Sequence, residues 1–267
     1  MLNKRELRKN LHHGIVNNEL YAVFQPEVSA HDQLIYSIES LVRWRHHDQD
    51  VPLSQFCHLL QEDSLGHQVF RFMLKEAVNM LKTLKQQEMQ HSISVNISTP
   101  TLALPDHGRQ IVDFLAQAGV STCDIKFELV ECVDVRSDKV IQDNINYLKS
   151  AGYEVLLDDF GAGGFYMSNS NVVDFDAIKL DRDLCSHSWS NKLKEKIIIS
   201  LSEYGQQYGK KIIAEGVETE EQYQKLRAAG VNIFQGYLFA FPMRKENLIP
   251  WIISFTRGEA AQPPSEG

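Results

Sequence analysis

The chain has 267 residues, a formal charge of −8 and 43% hydrophobic residues, a length and apolar content that suit one α/β barrel with a large core. The acidic balance excludes non-specific binding to nucleic acid or anionic lipid, both of which need a basic surface, so any anionic substrate depends on local cations. Four cysteines, Cys57, Cys123, Cys132 and Cys185, form no CxxC pair and no metal-like spacing with histidine, so reduced thiols in a cytoplasmic protein are expected.

In chain order, "MLNKRELRKN" is charged and has no apolar run behind it, which reads as an amphipathic helix and not a signal peptide. Strands are predicted at 20–25 (LYAVFQ) and 34–44 (LIYSIESLVRW), then a helix over 55–63 capped by Ser54. A longer helix over 67–88 is periodic in Phe70, Leu74, Ala77, Leu81 and Leu84. Further strands are predicted at 91–96 (HSISVN), 124–129 (DIKFEL), 153–158 (YEVLLD) and 176–181 (DAIKLD). Helix 191–208 should stop at Gly209, strand 210–214 (KKIIA) follows, and Thr219 with Gln222 has capping-box spacing before helix 220–229. The last strand is 231–235 (VNIFQ). Eight β-type runs alternating with helical segments predict a (β/α)8 barrel of the TIM type, one domain over 1–256, with a disordered tail over 257–267 (RGEAAQPPSEG). No apolar run approaches the roughly 20 residues that a bilayer requires.

Polar residues of the kind that do chemistry fall at or near the C-terminal ends of these strands: Gln25, Glu39, Asn96, Glu128, Asp158 with Asp159, Lys179 with Asp181, Glu215 and Gln235. Each alone has an ordinary reading, Asn96 as a turn residue, Asp158 as a helix cap, Glu215 as a solvated loop residue. Together, in a barrel of parallel strands, they meet at one mouth, where so many carboxylates repel one another unless cations neutralise them. An all-oxygen donor set, with no HExxH and no cysteine in it, favours Mg²⁺ or Mn²⁺ over zinc. Strand parity puts Glu39, Leu41 and Arg43 on one face, so that Arg43 can offer its fork to a phosphate or pair with a neighbouring acid. Asp158 and Asp159 point to opposite sides of a continuing strand. Both reach one site only if the strand ends between them, and Gly161, Gly163 and Gly164 would supply that freedom. Adjacent carboxylates at a strand end suit a pair of metals, and phosphodiester hydrolysis is the matching reaction class.

The segments "SIESLVRW", "SVNIS", "FELVE", "LLDDFGAG", "AIKLD", "IIAEGVET" and "FQGYLF" occur in the order and near the spacings of the EAL-domain cyclic di-GMP phosphodiesterases, and the chain resembles that family from about residue 5 to 255. The resemblance implies a modified barrel with one antiparallel strand and hydrolysis of cyclic di-GMP to linear 5′-pGpG with two Mg²⁺ or Mn²⁺ ions. It implies that Glu39, Asn96, Glu128 and Asp158 hold one metal, and that Asp158 bridges to a second held by Asp159 and Glu215. Beside the ligand Glu39, the catalytic residues would be Lys179, orienting or deprotonating the attacking water, and Glu215, a competing base. Gln25 and Arg43 would meet substrate, Arg43 at a phosphate, with Asp181 and Gln235 supporting water and ligands. Glu131 and Glu218 would brace the loop after Asp159.

Two departures stand out. The naming tripeptide reads Glu39-Ser40-Leu41, with Ser for Ala, and Ser40 is expected to face away from the mouth. Where the family has DFGTGYSSLSYL and then a proline, this chain has Ala162, "GFYMSNS" over 164–170, and Asp174. In the family that loop links the metal site to the dimer interface. An active phosphodiesterase, homodimeric or under a regulatory protein partner, is therefore set against a catalytically impaired cyclic di-GMP sensor or interaction module. Phe165, Tyr166 and Met167 would then either contact a partner or pack locally.

Overall fold

A computed structural model describes residues 4–30, 32, 34–61, 63–130, 138–162, 173–186 and 191–259. The strands are β1 (Leu20–Ser29), β2 (Ile35–His46), β3 (Gln49–Val51), β4 (Ile93–Ile97), β5 (Ile125–Val130), β6 (Glu154–Phe160), β7 (Ala177–Leu180), β8 (Lys211–Ala214) and β9 (Ile233–Phe234). The helices are α1 (Lys4–Val16), α2 (Leu53–Leu60), α3 (Asp63–Gln86), α4 (Thr99–Leu102), α5 (His107–Gln117), α6 (Lys139–Ser150), α7 (Arg182–Ser186), α8 (Lys192–Tyr208), α9 (Glu220–Ala228) and α10 (Lys245–Thr256). All eight expected strands are present. The short β3, which the sequence reading did not include, adds a hairpin to β2.

Eight strands close on themselves in the order β1, β9, β8, β7, β6, β5, β4, β2, with β2 pairing back to β1. From β2 through β9 the barrel neighbours are parallel. Only β1 runs the other way, antiparallel to both β2 and β9. The strands bury both faces, as closure with helices outside requires. Their outward apolar residues join the helices in a core that includes Trp44, Phe56, Phe127 and Phe234. Inside the barrel a separate apolar group, Leu156, Ala177, Ile213 and Ile233 with Tyr36 against it, lies toward the N-terminal ends of the parallel strands. The C-terminal ends are left to polar side chains, and this division positions the site.

The punctuation of the helices is read correctly in part. Gly209 ends α8 with φ 68°, and Thr219 caps α9 by accepting from the Gln222 amide. Gln222 returns its own side-chain oxygen to the Glu218 amide at 2.9 Å, one residue before the position a capping box would use. Ser54 does not cap α2. The N-cap is Pro52, whose ring holds an extended φ of −56° as the chain enters the helix. Helix α3 begins at Asp63, four residues before the apolar period that announced it.

Among the described residues no helix is long and apolar enough to cross a membrane. Cys57 and Cys123 are free and exposed, Cys185 is buried with its thiol donating to the Leu180 carbonyl at 3.6 Å, and Cys132 lies outside the described residues. So do residues 260–267 of the expected tail.

Gly236, just past β9, has φ 155°, and a Cβ there would stand 2.1 Å from the Val217 carbonyl oxygen. Val217 is itself hydrogen-bonded to Gln235, so that backbone cannot withdraw without breaking the ladder that ends at the site. Gly236→Ala is expected to lower stability by about 3 kcal/mol or more, measured by urea unfolding.

Candidate metal centre and active-site cavity

Lys179 lies at the middle of the inward face of β7 and is completely buried. Its Nζ is 2.7 Å from Glu215, 2.9 Å from Glu128, 3.0 Å from Glu39, 3.5 Å from Glu27 and 3.6 Å from Asp158. Five strands or strand ends thus aim a carboxylate at one ammonium. Glu39 has the richest support, accepting from Asn96 Nδ2 at 2.9 Å and from Gln235 Nε2 at 2.7 Å.

One positive charge cannot neutralise this group, and the acidities record the excess. Burial pushes Glu128, Glu215 and Asp158 above the usual carboxylate range, and the charge of Glu39 adds to the effect at each. Burial and the neighbouring Asp158 and Asp181 push Asp159 up to about 7. At Glu39 burial works the same way but loses to the charge of Lys179 and the donors from Gln235, Lys179 and Asn96, so its carboxyl is held below the usual value. Burial would lower Lys179, yet the surrounding carboxylates, Asp158 first, hold it well above the usual lysine range. The lysine is an ammonium, and the carboxylates beyond what it can balance take up protons or wait for another cation.

Asp158 and Asp159 reach the same site by a route the sequence reading did not anticipate. The strand does not end between them. β6 continues to Phe160, its pairing with β7 slips between Leu157 and Phe160, and Asp159 takes the left-handed conformation at φ 56°. The kink that turns both carboxylates inward lies at Asp159 itself, a residue type that tolerates this region; Gly161 follows with φ 101°, whereas Gly163 and Gly164 lie outside the described residues.

Two sets of carboxylate oxygens lie close enough to share an ion: Glu39, Glu128 and Asp158, and Asp158, Asp159 and Glu215, with the atoms of each set within 4.8 Å of one another. Asp158 belongs to both. Glu128 Oε1 and Asp158 Oδ1 are buried without a hydrogen-bond partner, which is the state a metal-ligating oxygen would relieve. The donor set is all oxygen, so it fits hard divalent ions in the manner of Mg²⁺ or Mn²⁺.

The cluster opens into a cavity of about 560 Å³ whose walls include Gln25, Glu39, Asn96, Asp158, Asp159, Glu215, Glu218 and Gln235, with an apolar side formed by Leu41, Leu53, Val69, Phe70, Met73 and Tyr237. Gln25 donates to the Ala240 carbonyl at 3.0 Å. Arg43 is not among the lining residues, and its guanidinium donates to the carbonyl of Val42. Asp181 caps α7, its Oδ1 accepting from the Asp183 amide at 2.8 Å. Glu218 pairs with Arg182 at 2.9 Å, whereas Glu131 lies outside the described residues. Ser40 donates to the Ser94 carbonyl at 2.7 Å rather than to a carboxylate.

Two residues at the site went unread in the sequence. Arg182 lines the cavity as an exposed cation at its rim. Glu27 is buried beneath the cluster on β1. Parity with Gln25 carried the signal for Glu27, but attention to C-terminal strand ends passes over the interior of a reversed strand.

A family model described as the EAL domain matches residues 6–242. The oxygen sensor protein DosP of Escherichia coli is 29% identical over 248 residues, covering 91% of this chain and 31% of its own. The cyclic di-GMP phosphodiesterase PdeR of Escherichia coli is 28% identical over 240 residues, covering 89% of this chain and 36% of its own. This chain therefore spans about a third of the length of these curated relatives. Among solved structures, the PaMucR phosphodiesterase in complex with c-di-GMP superposes with a TM-score of 0.82 at 25% identity, covering 91% of this chain and 99% of that one.

The lowered acidity of Asp159 gives a signed pH dependence in metal-free protein. Its carboxyl titrates near 3.8 when unfolded and near 7 when folded, so the folded state favours the proton, and this contribution to stability is lost as pH rises between those values. Asn imitates the protonated form and tolerates the left-handed backbone. With chelator present, Asp159→Asn is expected to gain stability relative to the native chain progressively from about pH 4 to 7 and to hold the gain above that. Urea titrations at stepped pH measure it, and parallel curves would contradict it.

Proposed function

The chain belongs to the EAL domain family, and from that premise we propose that it is a metal-dependent phosphodiesterase that hydrolyses cyclic di-GMP to linear 5′-pGpG in the bacterial cytoplasm. The observation that carries this reading is the pair of carboxylate sets joined at Asp158 around one buried ammonium at the base of a 560 Å³ cavity. A cavity of that size suits a ligand with two nucleobases and a charged centre.

Glu39, Asn96, Glu128 and Asp158 would hold one ion, and Asp158, Asp159 and Glu215 the second. Mg²⁺ or Mn²⁺ ions so held would supply activation of a water and stabilisation of the leaving oxygen in an in-line displacement. Lys179, kept charged by its neighbours, would orient the attacking water once metal draws its carboxylate partners away. Glu215, at the cavity wall and made a stronger base by burial, accepts the water proton. The water oxygen bonds to phosphorus, one P–O ester bond of the ring breaks, and the departing oxygen takes up a proton, which leaves a linear dinucleotide.

Gln235 and Asn96 hold Glu39 in place, Gln25 faces the substrate, and Asp181 fixes the start of α7 beside Asp159. Arg43 would turn from the Val42 carbonyl to meet a phosphate, and Arg182 offers a second cation at the rim. Glu218 would brace the loop after Asp159 together with Glu131. That loop would carry homodimer or regulatory-partner contacts.

The altered sequence over 162–170 favours one other reading, an impaired relative that senses cyclic di-GMP or acts through a partner protein. Purified chain with Mn²⁺ distinguishes the two: 5′-pGpG should appear with metal and not with chelator. Binding without turnover would select the sensor. In the active case Glu39→Ala should lower turnover by more than about 100-fold with an unchanged circular dichroism spectrum, since it removes a ligand and a carboxylate charge together. Full retained activity would exclude the assigned metal set.

A further inference from the structure

Glu27 is a carboxylate that neither metal set uses. Gln25 pairs with Glu39 and Glu27 with Ser37, so the reversed direction of β1 places Glu27 one inward-facing layer deeper than Glu39. It is completely buried, and both of its oxygens lack a hydrogen-bond partner. Among the described residues the cation within ion-pair distance is Lys179, at 3.5 Å. Lys126, the other cation whose charge reaches it, is occupied by Glu154 at 2.8 Å and by the ring of Tyr36 at 3.8 Å.

A buried carboxylate with so little support is costly, and in the metal-free arrangement Lys179 leans toward Glu215, Glu128 and Glu39 instead. Those three, and Asp158, are the oxygens that metal would claim. Once they turn to divalent ions, the ammonium loses its nearest partners and faces like charge. Of the five carboxylates around Lys179, Glu27 is then the one left to hold it.

We propose that Glu27 is a positioning residue for Lys179, receiving its ammonium when metal takes Glu39, Glu128, Asp158 and Glu215, so that the lysine stays charged and in place beside the reacting phosphate. The inference rests on the metal-dependent reading above. It also gives a reason for a carboxylate that deepens the repulsion of an already acidic cluster.

The experiment is a Mn²⁺ titration by calorimetry on the whole chain, native and Glu27→Gln, alone and combined with Lys179→Met. Glu27→Gln should weaken Mn²⁺ binding about tenfold or more, since the unanchored ammonium competes for the same oxygens. Glu27→Asp should restore part of the loss. In the Lys179→Met background the same change should alter affinity by less than about twofold, because the residue acts through the lysine. Chelator-treated Glu27→Gln should melt at or above the native temperature. A lower melting temperature with unchanged Mn²⁺ affinity would make Glu27 merely structural and overturn the proposal. So would an equal weakening in the Lys179→Met background, which would mean a direct field on the metal. Should a variant fail to fold, a structure of the native chain with Mn²⁺ decides: Nζ within hydrogen-bond distance of Glu27 supports the proposal, and Nζ retained on Glu39 and Glu128 overturns it. Native protein that binds no Mn²⁺ would overturn the metal-dependent reading as well, whereas tight native binding indifferent to Glu27 overturns this inference alone.

Discussion

One ammonium, Lys179 Nζ, makes the interior of this barrel possible as a folded state without metal. Five carboxylates converge within 3.6 Å of it, three of them at hydrogen-bond distance. Left to themselves these groups would drive the strand ends apart, because burial removes the water that screens them. The lysine holds them together but leaves the group with an excess of carboxylates. That imbalance is the physical basis for the proposed binding of divalent cations.

The topology serves this arrangement in two places. Reversal of β1 closes the barrel while delivering Gln25 to the cavity wall and Glu27 to the layer beneath it, so the floor of the site carries charge as well as its rim. The slip between β6 and β7 lets consecutive aspartates serve one centre, which regular alternation forbids. Below both, Leu156, Ala177, Ile213 and Ile233 seal the barrel with apolar side chains, keeping the charged layer toward its open end. The site is therefore a polar layer bounded by a dry plug on one side and a cavity on the other.

Membership of the EAL domain family accounts for the barrel, and the phosphodiesterase PaMucR shows the same fold with c-di-GMP bound. Three further contacts stand at the margins of the acidic cluster. Glu27 adds a buried charge, Ser40 spends its hydroxyl on the Ser94 carbonyl, and Arg182 stands with Glu218 at the cavity rim. Each is a place where the charge of the cluster can be tuned through the neighbours of its carboxylates.

By itself the sequence determined the barrel, its eight strands, the caps at Thr219 and Gly209, and the convergence of Glu39, Asn96, Glu128, Asp158, Lys179, Glu215 and Gln235 on one end. These follow from local periodicity and from the rule that parallel strands present their C-terminal ends together. Only the tertiary structure decided that Pro52 and not Ser54 starts α2, that the bend falls at Asp159, that Arg43 rests on its own backbone, and that Glu27 shares Lys179. The reason is the same in each case. Strand parity and capping patterns act over a few residues, whereas a slipped register, a rotamer choice and a charge arriving from a reversed strand depend on partners up to 152 residues away, as Lys179 is from Glu27.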